Sequence, residues 1–210
     1  MKLKDLDLSR HYTYADYLNW KFEETIELIK GKIFKMSPAP GRYHQEISTK
    51  LVSRIEYFLG GNKCHVYHAP FDVRLPLPYE QRKDDKIETV VQPDICVVCD
   101  EEKLDRKGCL GAPDWIIEII SPGSSKKDTK DKFEIYEASG VKEYWLVYPS
   151  DQNVFVYTLN EAGKYEGHPP YAKGDKISPN TFPDLVIDLE EVFPDIDLVE
   201  EEYVRYLGAG

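Results

Sequence analysis

The sequence predicts an α/β domain whose mixed β-sheet carries helices on its faces. Two runs of strand length, Asp114–Ile120 and Glu143–Tyr148, are almost continuously apolar, the pattern of strands buried on both faces. Ile47, Leu51, Ile55, Phe58 and Leu59 recur at helical spacing. A second helical pattern, ending at Gly140, lies between the two apolar runs and supplies the crossover that a parallel strand pair needs.

The elements follow in order. Thr13, with Asp16 three residues on, predicts a capped helix over 13–20. Ile26–Ile29 and Ile33–Met36 flank Lys30-Gly31, a two-residue hairpin signal. The chain breaks at Ser37-Pro38-Ala39-Pro40-Gly41. A helix over 44–59 stops at Gly60-Gly61. Cys64–Leu75 reads as a strand with Asp72 and Arg74 on a wet face. A loop from Pro76 to Thr89 leads to a strand over 90–99, interrupted near its start by Pro93. Asp100–Gly111 reads as a charged loop. After the strand at 114–120, Ser124 or Ser125 caps a helix to Ser139, and the strand 143–148 follows. Val154–Leu159, Tyr165–Glu166 and Leu185–Leu189 read as further strands. Glu190 to Glu202, seven acids without a base, reads as a solvated end. The expected core, about 44–149, is thus helix, three strands, helix, strand, inside a single domain spanning 1–210.

Composition narrows the function. Of 210 residues 41% are apolar, enough for one core, and no run reaches the ~20 apolar residues that span a bilayer. The N-terminus carries scattered charges and no apolar stretch, so the expected compartment is the cytoplasm. A net charge of −11 argues against a broad phosphate-binding surface but leaves room for a small acidic metal site. Cys64, Cys96, Cys99 and Cys109 are expected as free thiols, since Cys96 and Cys99, three apart on a strand, face opposite ways.

Two acids sit where acids are costly. Glu118 is surrounded by Trp115, Ile116, Ile117, Ile119 and Ile120, and Asp94 lies between Pro93 and the run Ile95–Val98. A carboxylate in a buried strand must be paired, protonated or metal-bound. If the two face one side of neighbouring strands, their oxygens suit Mg²⁺ or Mn²⁺, which takes one or two carboxylates plus phosphate oxygens and waters. The plain alternative pairs Glu118 with a lysine or arginine and has Asp94 cap a turn. In the following helix Asp128, Lys132, Ile135, Tyr136 and Ser139 share a face, and Ile135 and Tyr136 mark it as inward. Lys132 therefore points toward the core, able to orient a nucleophile or to form only an i,i+4 pair with Asp128.

The segments ELIKGKIFKMSPAPGRYHQEI, VQPDICVV and DWIIEIISPGSSKKDTKDKFEIYEASGVKEYWLVYP resemble the Uma2 family of restriction endonucleases, over roughly Thr13 to Pro194. The resemblance implies a PD-(D/E)XK nuclease fold with an αβββαβ core, an N-terminal helix and hairpin, and C-terminal strands. It implies that Asp94 and Glu118 are metal ligands and that Glu46, from the first core helix, joins them. The family's motif lysine belongs two residues after the glutamate, where this chain has Ile120; Lys132 fits that role better than Lys126, Lys127 or Lys130. Gln92 is an expected edge residue with a possible part in orienting water. His44 is expected at the surface or as a cap, and His65 and His68 diverge on their strand. The expected activity is Mg²⁺-dependent hydrolysis of DNA phosphodiesters, with a homodimer suited to two strands. The rival from another class is a catalytically inactive binding module of the same fold, favoured by the acidic charge and by Ile120. A thiol or zinc protein using Cys96 and Cys99 is a third.

Overall fold

Lys30 and Gly31 both take positive φ, 52° and 76°, the conformation that closes a two-residue hairpin with the twist of its strands. They join β1 (Ile26–Ile29) to β2 (Lys32–Lys35). The computed structural model describes residues 6–21, 24–36, 41–76, 82–121 and 127–195, without the side chains of Lys127 and Asp128. The expected cap at Ser124 or Ser125 and the inward face of Asp128 lie outside them. Before the hairpin comes α1 (Tyr14–Tyr17), shorter than expected. Its start is the expected one: Thr13 donates its backbone N–H and its hydroxyl to Asp16 Oδ2, at 2.9 and 3.1 Å.

After α2 (Arg42–Leu59) the chain forms β3 (His65–His68), β4 (Val73–Arg74), β5 (Val90–Val91), β6 (Ile95–Val98), β7 (Leu104–Asp105), β8 (Gly108–Leu110) and β9 (Trp115–Ile119). A wide π-type turn over Lys127–Lys132 runs into α3 (Phe133–Ser139), which Gly140 ends at φ 84°. Then come β10 (Glu143–Tyr148), β11 (Asn153–Leu159), β12 (Tyr165–Gly167), β13 (Tyr171–Ala172), β14 (Lys176–Ile177), β15 (Ile187–Asp188) and α4 (Leu189–Val192).

The main sheet has the order β12-β11-β10-β9-β6-β3, with β13 also on β11. β3, β6 and β9 are antiparallel neighbours and β9 and β10 are parallel, so the sheet is mixed as expected. Its two faces bury different partners. Ile95, Val97, Trp115, Ile117, Trp145 and Val147 meet Ile47, Leu51, Ile55 and Leu59 of α2. Cys96, Val98, Ile116, Tyr144 and Leu146 meet Ile135 and Tyr136 of α3, together with Ile29, Val73 and Val91 of a second sheet. That second sheet runs β2-β1-β5-β4-β8-β7. Among the described residues no helix is long and apolar enough to cross a membrane.

Several expectations are corrected. The strand expected over 64–75 is two, β3 and β4, in different sheets. Arg74 is not on a wet face: it is 2% exposed, donates to Asp105 Oδ1 at 2.6 Å and stacks 5.3 Å from the Tyr14 ring. The strand over 90–99 divides into β5 and β6 around Pro93, which has no N–H to give a ladder. The loop over 100–111 contains the hairpin β7–β8. The end strand shrinks to β15, and the solvated end begins late, because Val192 and Phe193 are buried in the core. The cysteines are not four free thiols. His65 pairs with Val98, which sets Cys64 beside Cys99 at the strand ends, and those two form a disulfide. Cys96 and Cys109 remain as buried thiols, and Cys96 and Cys99 do occupy opposite faces.

Candidate active site

Strand parity places Glu118. Ile116 and Ile120 join the cluster beneath α3, so Glu118 between them faces α3 as well. A parallel β10 obliges the chain to cross over β9, and the crossover is the turn and helix that carry Lys132 and Tyr136. Lys132 Nζ lies 2.8 Å from Glu118 Oε1, and the Tyr136 hydroxyl donates to the same oxygen at 2.7 Å. The pair is buried, with Lys132 and Glu118 2% and 3% exposed. Burial, and after it the Glu118 charge, push the Tyr136 phenol well above its ordinary pKa, so it remains a donor.

Asp94 precedes β6. The β6–β9 register pairs Ile95 with Ile117, and one residue further it sets Asp94 opposite Glu118. The Asp94 carboxylate reaches β9 directly, since Ile119 N–H donates to its Oδ2 at 2.7 Å. Its other oxygen, Oδ1, lies 3.1 Å from His44 Nε2 in the first turn of α2. His44 is thus neither a cap nor a free surface group. Its Nδ1 is buried and has no hydrogen-bond partner among the described residues.

Glu46 stands on the same helix, and its ion pair is with Lys50 at 3.1 Å. Among the described residues no group of three or more His, Cys, Asp or Glu side chains is arranged to hold a metal ion. The expected ligands Asp94 and Glu118 would offer hard carboxylate oxygens, the donor type that Mg²⁺ takes. Gln92 faces away from them. Its Nε2 donates to Asp72 Oδ1 at 2.8 Å and to the Tyr17 hydroxyl at 3.2 Å.

Sequence reasoning missed Glu27. It is fully buried in β1, where Ile29 two residues on joins the cluster beneath α3, so Glu27 looks toward the same helix. Lys132 Nζ lies 3.1 Å from Glu27 Oε1. The available signal was the one that marked Glu118, a lone acid within an apolar strand (IELI). Another buried acid, Glu143, is structural. It accepts from Trp145 Nε1, from the backbone N–H groups of Asn180 and Thr181, and from the Thr181 hydroxyl.

Comparison with known proteins agrees with this architecture. A family model, Uma2, described as "Putative restriction endonuclease", matches residues 14–190. An uncharacterized protein of Synechocystis is 22% identical over 153 residues, 71% of this chain and 75% of that protein. A crystal structure from Anabaena variabilis, titled as a "putative nuclease belonging to DUF820", superposes with a TM-score of 0.65. It is 23% identical and covers 86% of this chain and 97% of that one, a likeness of fold.

Proposed function

Since the chain belongs to the Uma2 family, we propose that it is a metal-dependent nuclease that hydrolyses DNA phosphodiester bonds. The observation that carries the reading is the buried contact of Lys132 with Glu118, at 2.8 Å. It supplies from the crossover helix the ammonium group that the nuclease motif would set at Ile120. Asp94 and Glu118 would hold Mg²⁺ or Mn²⁺. A divalent cation there contributes neutralisation of phosphoryl charge and a bound water of lowered pKa. The chain's own groups do the rest. Ile119 N–H and His44 fix the rotamer of Asp94, Tyr136 orients Glu118, and Lys132 holds a proton-donating group where a nucleophile is positioned. Glu46 is the α2 acid whose contribution is open to test. A homodimer would suit cleavage of both strands of a duplex.

The test is cleavage of supercoiled plasmid and of single-stranded DNA with Mg²⁺ or Mn²⁺, alongside Asp94→Ala and Glu118→Gln. Cleavage that needs the metal and both carboxylates supports the reading. Metal-independent cleavage, or cleavage that survives both substitutions, overturns it.

One observation favours the second reading, a binding module without catalysis. Lys132 spans Glu118 and Glu27 in the interior, an arrangement that pairs both buried carboxylates without any metal. Calorimetry with Mn²⁺ separates the two, because a purely structural network binds no cation.

A further inference from the structure

The lysine of this site comes from an unusual support. Lys132 ends a π-type turn and precedes a seven-residue helix, so neither a strand nor a long α-helix fixes its direction. A lysine side chain has about 2 kcal/mol of rotamer freedom to lose on being fixed. Its bond to Glu118 fixes one contact, and Glu27, from the second sheet, supplies another. The Oε1 atom of Glu27 accepts Gln92 N–H at 2.9 Å as well as lying 3.1 Å from Lys132 Nζ. Gln92 immediately precedes Pro93-Asp94, so one oxygen of Glu27 touches both the lysine and the segment that delivers Asp94. A fully buried carboxylate on an inner strand of the second sheet is costly for folding, and an apolar side chain would fill the space as well.

We propose that Glu27 is a positioning residue: it holds Lys132 Nζ beside Glu118 and, through Gln92 N–H, keeps the Pro93-Asp94 segment in register with them. The catalytic consequence rests on the nuclease reading, whereas the placement of Lys132 does not. The two are therefore tested by separate measurements on the full chain.

Glu27→Gln retains an oxygen for Gln92 N–H and removes the charge facing Lys132. In Mn²⁺-dependent cleavage its kcat should fall about a hundredfold, the cost of a misplaced group, with KM for DNA and half-saturation by Mn²⁺ held within about twofold. In a Lys132→Met background the substitution should cost nothing more, because Glu27 acts through the lysine. A wild-type kcat in Glu27→Gln, or additive losses in the double variant, overturns the proposal.

The second measurement needs no cleavage. Brief acetylation with acetic anhydride, followed by peptide mapping, reads the accessibility of each lysine amine. Lys132 labelling should rise about tenfold in Glu27→Gln, the factor that loss of one charge-assisted hydrogen bond puts on local opening, while Lys30 and Lys130 stay unchanged. Unchanged Lys132 labelling overturns the proposal. A rise shared by all lysines marks general loosening and overturns it in favour of a structural role. If the wild-type chain cleaves nothing, the nuclease reading fails and the labelling still decides what Glu27 does.

Discussion

Lys132 Nζ and Glu118 Oε1 lie 2.8 Å apart, although they are fourteen positions apart in the chain and one ends the crossover turn while the other stands on a strand. The fold brings them together for a topological reason. β9 and β10 are parallel, so the chain between them must cross one face of the sheet, and that face is the one Glu118 occupies. A lysine on the inward side of the crossover meets the glutamate as directly as one placed two residues along the strand.

Removing that lysine should cost both stability and rate. Lys132→Met leaves Glu118 and Glu27 buried against an apolar side chain, and breaking a buried pair costs about 3–5 kcal/mol. Lys132→Met with Glu118→Gln should recover part of that loss, since one of the two charges is then gone. Urea midpoints measure both. On the nuclease reading, Lys132→Met should also slow cleavage by about 10²–10⁴, measured on plasmid with the variant kept below its unfolding midpoint.

The metal should depend unequally on Asp94 and Glu46. Asp94→Ala removes a hard donor fixed by Ile119 N–H and His44, and should abolish Mn²⁺ binding by calorimetry together with cleavage. Glu46→Gln breaks the half-exposed pair with Lys50, worth about 0.3–0.5 kcal/mol, and should leave stability nearly unchanged. A loss of Mn²⁺ affinity in Glu46→Gln as large as in Asp94→Ala would place that acid among the ligands.

The centre of the main sheet was legible because β9 and β10 each carry their own signal. Trp115–Ile119 and Glu143–Tyr148 are continuous apolar runs, and the intervening helix dictates their parallel pairing. Beyond its β1–β2 hairpin, which Lys30-Gly31 announced, the second sheet was not legible, because β4 and β5 have two residues each and their partners are distant in sequence. Arg74 shows the cost. Its alternation with Val73 and Leu75 reads as a wet face, yet Asp105 and the Tyr14 ring, which no local pattern announces, cover it. The Cys64–Cys99 bridge was hidden likewise, since it depends on the pairing of His65 with Val98. At the site, Lys132 was legible from helix periodicity. Glu27 carried the lone-acid signal of Glu118 but was passed over, and His44 was not legible, since only a tertiary contact aims it at Asp94.

Arg74 and Asp105 predict an acid limb of stability. Burial pushes the Asp105 carboxyl up, but the Arg74 hydrogen bond and the Lys107 N–H and charge outweigh it and hold it below its ordinary value. A depressed carboxyl contributes stability that is present above the unfolded value, about 3.9, and is lost as pH falls through the folded one. Asp105→Asn should therefore destabilise most above pH ~5 and converge with wild type in acid. The Asp105 side chain is 46% exposed, so solvent screening limits the difference to about 1–2 kcal/mol. Urea midpoints at a series of pH values measure it.

Tyr14 and Tyr17 predict the opposite limb. Their hydroxyls donate to the two oxygens of Asp72, each at 3.2 Å. Burial first, and then the Asp72 charge, raise both phenols well above their ordinary pKa. A raised phenol contributes stability that is present below the unfolded value, about 10, and is lost as pH climbs through the folded one, because the unfolded chain releases its proton first. Tyr14→Phe with Tyr17→Phe removes three long hydrogen bonds, the third from Gln92 Nε2 to the Tyr17 hydroxyl, and should cost about 1–3 kcal/mol at pH 7. Above pH ~10 the wild type should lose stability faster than the double variant, so the gap between them closes. A gap that stays constant from neutral to alkaline pH would mean that Asp72 does not hold these phenols protonated. Denaturation midpoints together with the ultraviolet phenolate band read the two effects separately.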